Sequence, residues 1–249
     1  MSTAWTYGVL LVITAAAWVH VVWMAMTDDM AGMDMVMTPA LVEGLAFVAA
    51  WAVMMAAMML PSALPMIGLY AATQQSEARA VPRAAPVALF TLVYLALWAA
   101  TGVPMYFASV ALNALSPTTR AYGVAVVLVV SGLFQVSPLK LVCLRHCRSP
   151  LGFLLGHWRA GWRGSLALGW SHAVYCLGCC WALMLVLVAA GSMGLIWVLL
   201  VAAMVAAEKV LPGGEWIARA TGVALVVLGV AVAVRPALAL TLRGVAPVM

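Results

Sequence analysis

Between two long apolar runs the chain carries Asp28, Asp29, Met30, Met33, Asp34, Met35 and Met37, within the stretch TDDMAGMDMVMTP. Thioether sulfur is a soft, uncharged donor that suits Cu(I), whereas carboxylate oxygen is harder and accepts Cu(II) and other divalent ions. A segment that mixes the two can hold copper through a change of oxidation state. Flexible hydrophobic filling is the ordinary use of methionine. It explains neither the three acids nor Gly32 among them. His20 and Glu43 are the polar residues closest to this segment on the flanking runs. An ionisable group near a membrane is costly unless paired, hydrated or ligated, so both join the candidate ligands.

The run after it continues the sulfur theme in WAVMMAAMMLP, residues 51–61. On a helix Met54 shares a face with Met58, and Met55 with Met59, which makes two adjacent sulfur ribs with Trp51 one turn away. Close helix packing would use Met and Ala in the same way. Pro61 and Pro65 add a bend at which backbone carbonyls lose their usual donors.

All five cysteines and three of the four histidines fall between residues 143 and 180. Cys143 and Cys147 flank His146 in CLRHC, at a spacing that puts both thiols on one side of a helix. Cys176, Cys179 and Cys180 repeat the arrangement, with His172 one turn earlier. Thiolate and imidazole at this spacing suit Cu(I), and zinc is the second metal such donors accept. An odd number of cysteines argues against complete pairing into disulfides.

The elements that must position these groups follow from composition. With 67% hydrophobic and 8% charged residues in 249, the chain has more apolar surface than a water-soluble globule can bury. Crossing a hydrocarbon core of about 30 Å takes about 20 apolar residues as a helix, because lipid offers no partner to exposed backbone groups. Seven runs answer this description: Trp5–Met26, Ala40–Leu60 with a continuation past Pro61 to about Ala72, Pro86–Leu112, Arg120–Ser137, Leu166–Ala190, Gly194–Ala207 and Trp216–Val234. The expectation is an all-α, polytopic transmembrane helix bundle forming a single integral membrane domain over residues 1–249. It has about seven spans, or six if the short sixth run fails to cross.

Basic residues are retained on the cytoplasmic side. Arg79, Arg83, Lys140, Arg145, Arg148, Arg159, Arg163, Lys209 and Arg219 share one side if the N-terminus is cytoplasmic, against Arg120, Arg235 and Arg243 on the other. The methionine–aspartate segment is then external. The net charge of +5 is spread over membrane-flanking loops, so it marks topology and is no nucleic-acid patch.

Four blocks carry a resemblance: WAVMMAAMMLPSALP from Trp51, PLKLVCLRHCRSP from Pro138, CLGCCWALM from Cys176 and AEKVLPGG from Ala207. Together they resemble a bacterial family of uncharacterised proteins described as predicted metal-binding integral membrane proteins, some labelled copper chaperones. The resemblance spans roughly residues 40–215. It implies a polytopic fold in a bacterial plasma membrane, metal binding, and Met54, Met58, Met59, Cys179, Cys180, Met184, Glu208 and Lys209 as functional positions. Read from the residues alone, Glu208-Lys209 is first an interfacial anchor that ion-pairs with other loops, such as LKLVCLR, and second a buried carboxylate with a buried partner.

No nucleotide-binding glycine motif, hydrolase elbow or pair of catalytic carboxylates is present, so no catalytic residues are expected. The reading is a copper-handling membrane protein, delivering or transferring the metal to an acceptor. Its alternative is an accessory subunit that packs against other membrane subunits of a copper-dependent oxygenase.

Overall fold

A computed structural model describes residues 3–28, 40–74, 84–159, 161–191 and 194–243. Most of the methionine–aspartate segment (Asp29, Met30, Met33, Asp34, Met35 and Met37) lies outside the described residues, as does the side chain of Asp28. The described residues are helical and contain no strand. In chain order the helices are α1 (Thr3–Asp28), α2 (Ala40–Thr73), α3 (Ala84–Ala100), α4 (Gly102–Ala114), α5 (Pro117–Gln135), α6 (Pro138–Arg148), α7 (Pro150–His157), α8 (Gly161–Ala189), α9 (Leu195–Val210), α10 (Gly214–Val234) and α11 (Ala237–Leu242).

Six stretches among the described residues are long and apolar enough to cross a membrane: α1, α2, α3 with α4, α5, α8 and α10. They coincide with six of the seven apolar runs. The α2 helix continues through Pro61 and Pro65 to Thr73, and the Ser62 hydroxyl donates to the Met59 carbonyl between them at 2.9 Å. The CLRHC block is helical, within α6.

The chain divides into two compact units: Met1–Gly102 with Arg145–Leu177, and Val103–Leu144 with Gly178–Met249. In the first, α2 packs against α1, α3 and α7, and its central residues from Trp51 to Leu60 are largely withdrawn from the surface. The outer face of α1 stays apolar and exposed, with Trp5, Val12, Val19 and Trp23 all on the surface. That is the composition of a lipid-facing helix.

In the second unit α10 packs along α5, and α9 and α11 pack against α10. Small residues set that closeness. A Cβ on Gly132 would fall 2.6 Å from the Gly222 carbonyl oxygen, and one on Gly222 would fall 2.7 Å from the Gly132 carbonyl oxygen. Small-residue contacts of this kind hold helices together where lipid removes the hydrophobic drive for association. The α9–α10 turn passes through Gly213 at φ +79°, a left-handed conformation that glycine adopts without Cβ strain.

The sixth run becomes α9, which at 16 residues reaches about 24 Å. Its finish nevertheless meets the last residue of α5, and its start is linked to the first turns of α5 through the end of α11 and Asn113 of α4. Near its start, the Trp197 indole donates to the Leu242 carbonyl at 2.8 Å, and the neighbouring Arg243 donates to Asn113 at 2.8 Å. Arg120, in the first turns of α5, donates to the Asn113 carbonyl at 2.7 Å. Near the other end, Glu208 accepts a hydrogen bond from Gln135, the last residue of α5, at 2.8 Å. Short as it is, α9 makes the same traverse as α5.

Candidate functional site

The Met-rich turns of α2 are buried as a body: Trp51, Met54, Met55, Met58 and Met59 are each at most 3% exposed. The Trp51 indole donates to the Thr101 hydroxyl at 3.0 Å and its ring stacks on Phe47, which fixes the outer end of the ribs. From α3, the Tyr94 hydroxyl reaches the Met59 carbonyl at 3.3 Å and the Cys176 sulfur of α8 at 3.2 Å. One phenol thus ties a sulfur rib to a thiol 82 residues away. The approach is possible because α8 carries Gly169 against the Phe90 backbone of α3.

His172 lies one turn before Cys176 and is 4% exposed, among Phe90, Tyr94 and Phe153 at ring-centroid distances of 5.8, 5.5 and 5.6 Å. Met59, Tyr94, His172 and Cys176 therefore belong to one buried neighbourhood of the first unit. Its thiol and imidazole are soft and borderline donors in an otherwise apolar setting, and the contact with Met59 is made through the Met59 backbone carbonyl. His146 and His157 serve as packing rings, stacked on Tyr175 at 4.3 Å and on Phe153 at 4.4 Å.

Cys179 and Cys180 belong to the second unit, both 1% exposed, with sulfurs 3.2 Å apart. Cys143 lies against the same stretch of α8, its sulfur 2.7 Å from where a Cβ on Gly178 would stand. None of the five cysteines forms a disulfide. Among the described residues, no three of His, Cys, Asp and Glu converge as a metal-holding group. His20 and Glu43 are exposed on α1 and in the first turn of α2, and His20 lies 5.9 Å from Trp23. At its helix N-terminus Glu43 faces the favourable end of the helix dipole.

The ion pair expected between Glu208-Lys209 and the LKLVCLR block is present, through Lys140, but it is buried rather than exposed. Glu208 is 1% exposed, its Oε2 lies 2.5 Å from the Lys140 ammonium, and its Oε1 accepts from Gln135. Lys140, read from sequence as a loop base, is itself fully buried. The physical reason is that a carboxylate this deep needs a cation and a further donor to offset its lost hydration. Tyr94 was also missed, because a lone tyrosine in an apolar run reads as packing. Its signal was a hydroxyl that, once buried, has to find a partner.

Among the described residues the chain is helical, with six stretches long and apolar enough to cross a membrane and with methionine and cysteine side chains buried inside. The chain belongs to the PpoB2 copper chaperone family, whose model matches residues 48–232, from within α2 to the end of α10. No curated protein and no solved structure matches it.

Proposed function

We propose that this protein carries Cu(I) as cargo in a bacterial plasma membrane and hands it to an acceptor. The Met/Asp segment, with Asp28, Asp29, Met30, Met33, Asp34, Met35 and Met37, takes up the ion on the external side, flanked by His20 and Glu43. Met54, Met58, Met59, His172 and Cys176 supply the inner resting place, and Cys179 and Cys180 offer a further pair of soft sulfurs along α8. The observation that carries this reading is the Tyr94 hydroxyl, which lies against the Cys176 sulfur and reaches the backbone carbonyl of Met59, so that the thiol and the Met-rich turn of α2 share one buried neighbour. When Cu(I) displaces the thiol proton of Cys176, that hydroxyl can turn its own proton toward the sulfur. A hydrogen bond to a charged group is worth about 1.5–3 kcal/mol.

The test is a Cu(I) titration of the purified chain against a chromophoric chelator. Replacing Met30, Met33, Met35 and Met37 by Leu is expected to remove the outer site and leave the inner one. Cys176→Ser and the Met54/Met58/Met59→Leu triple variant are expected to do the reverse. Tyr94→Phe should keep the stoichiometry and weaken the inner affinity about tenfold or more, following that hydrogen-bond energy. Unchanged stoichiometry in both the four-methionine variant and Cys176→Ser would sink the proposal.

A further inference from the structure

Arg163, Leu166 and Trp170 follow one another at three- and four-residue steps, so they share a face at the start of α8. With His157, Trp158 and Arg159 from the end of α7 and the residues after it, that face lines an open cleft of about 540 Å³ within the first unit. Arg159 and Arg163 are both exposed, and neither has a carboxylate partner among the described residues. The Arg163 guanidinium sits 5.2 Å over the Trp162 ring. Trp162 and Trp170 are 62% and 56% exposed, at the end of a helix long and apolar enough to span. Exposed tryptophans at span ends mark the headgroup level of a bilayer.

The lining therefore asks two things of a ligand. Planar guanidinium forks match the oxygens of a phosphate. Leu166 and the Trp170 ring match acyl or glycerol carbons. Inorganic phosphate satisfies only the first demand, whereas a phospholipid bearing a net negative charge satisfies both. We infer that this cleft holds the phosphodiester headgroup of an anionic phospholipid, with Arg159 and Arg163 as its ligands. Basic clefts at the ends of membrane helices bind acidic lipids in this way. On the topology proposed above, the cleft faces the cytoplasmic leaflet.

The test uses the full chain in detergent micelles doped with equal amounts of dioleoyl phosphatidylglycerol and dioleoyl phosphatidylcholine, with retained lipid counted by native mass spectrometry. Wild type is expected to retain phosphatidylglycerol over phosphatidylcholine by about 25-fold, since each of the two arginines near the headgroup is worth about fivefold. Arg159→Gln/Arg163→Gln should bring the ratio within about twofold, and Arg159→Lys/Arg163→Lys should keep most of it. If the double Gln variant does not fold, Arg163→Gln alone carries the test, with a loss of about fivefold expected. Excess inorganic phosphate should leave the retained phosphatidylglycerol unchanged. Equal selectivity in wild type and the Gln variants overturns the inference. So does displacement of the lipid by inorganic phosphate, which would make the cleft a free-anion site.

Discussion

The Lys140 ammonium of α6 lies 2.5 Å from the Glu208 carboxylate of α9, with both side chains almost wholly withdrawn from solvent. The two residues are 68 positions apart, and Gln135 takes the second carboxylate oxygen. Three helices of one unit thus meet on a single carboxylate, two through side chains that have no other reason to be apolar-facing. A charge pair stripped of water gives a modest net gain while both partners are present. It becomes a large liability when one is lost.

That asymmetry makes the first prediction. Glu208→Ala or Lys140→Met is expected to cost about 3–5 kcal/mol, because each leaves an uncompensated buried charge or an unsatisfied carboxylate. The combined Lys140→Met/Glu208→Leu variant should recover part of that loss, since an apolar pair carries no charge-desolvation penalty, while the buried Gln135 amide loses its acceptor at a cost of about 1–3 kcal/mol. Unfolding of the detergent-solubilised protein in a denaturing surfactant titration reads the difference. A double variant no more stable than the worse single variant would show that the pair does more than neutralise itself.

Much of the architecture was legible because the bilayer imposes a length rule. The α2 helix followed its apolar run through Pro61 to Thr73, and α8 and α10 matched theirs within a few residues. Cys143 and Cys147 fall in a stretch read as a loop between spans, and their spacing puts both thiols on one side only because that stretch is helical, within α6. Spacing pointed Glu208-Lys209 toward the LKLVCLR block, but it could not give the burial of that pair or the contact of Tyr94 with Cys176. Lys140 sits in PLKLVCLR among other basic residues and looks like one more loop charge. Tyr94 looks like packing until Met59 and Cys176 arrive on either side. Both failures have one origin: a buried polar group declares itself only through a partner that the fold supplies.

The second prediction concerns the number of crossings. By length alone α9 falls short of a comfortable span. Yet hydrogen bonds tie its start, through Leu242 and Arg243, to the Asn113 end of α5, and its finish to the Gln135 end. If α5 crosses, α9 crosses too, and the membrane thins or flanking groups reach outward to accommodate it. Seven crossings put the two termini on opposite sides. Reporters active on one side only, fused in turn to each end, should therefore give opposite signals, with the N-terminal fusion cytoplasmic. The same signal from both ends would reduce α9 to a re-entrant helix.

The third prediction turns on Cys143, which lies outside the six long spans, on α6. Burial pushes its thiol pKa above the ordinary value, because the thiolate would lose hydration. The folded-state value is thus higher than the unfolded one. Its contribution to stability is intact at neutral pH and is lost as pH rises through the raised value, on the alkaline side. Since the thiolate is the reacting form, maleimide labelling of Cys143 at pH 7.5 is expected to be at least about tenfold slower in the folded protein than after denaturation. The rate should climb steeply as the solution is made alkaline. Gly178→Ala supplies a control that acts on the packing, because the new Cβ would stand 2.7 Å from the Cys143 sulfur and must drive that side chain from its place. The displaced thiol should then label faster at pH 7.5, and peptide-level mass spectrometry distinguishes it from the other four cysteines. Labelling of wild-type Cys143 at the denatured rate, or a Gly178→Ala variant that leaves its rate untouched, would mean that the sulfur is not held against α8.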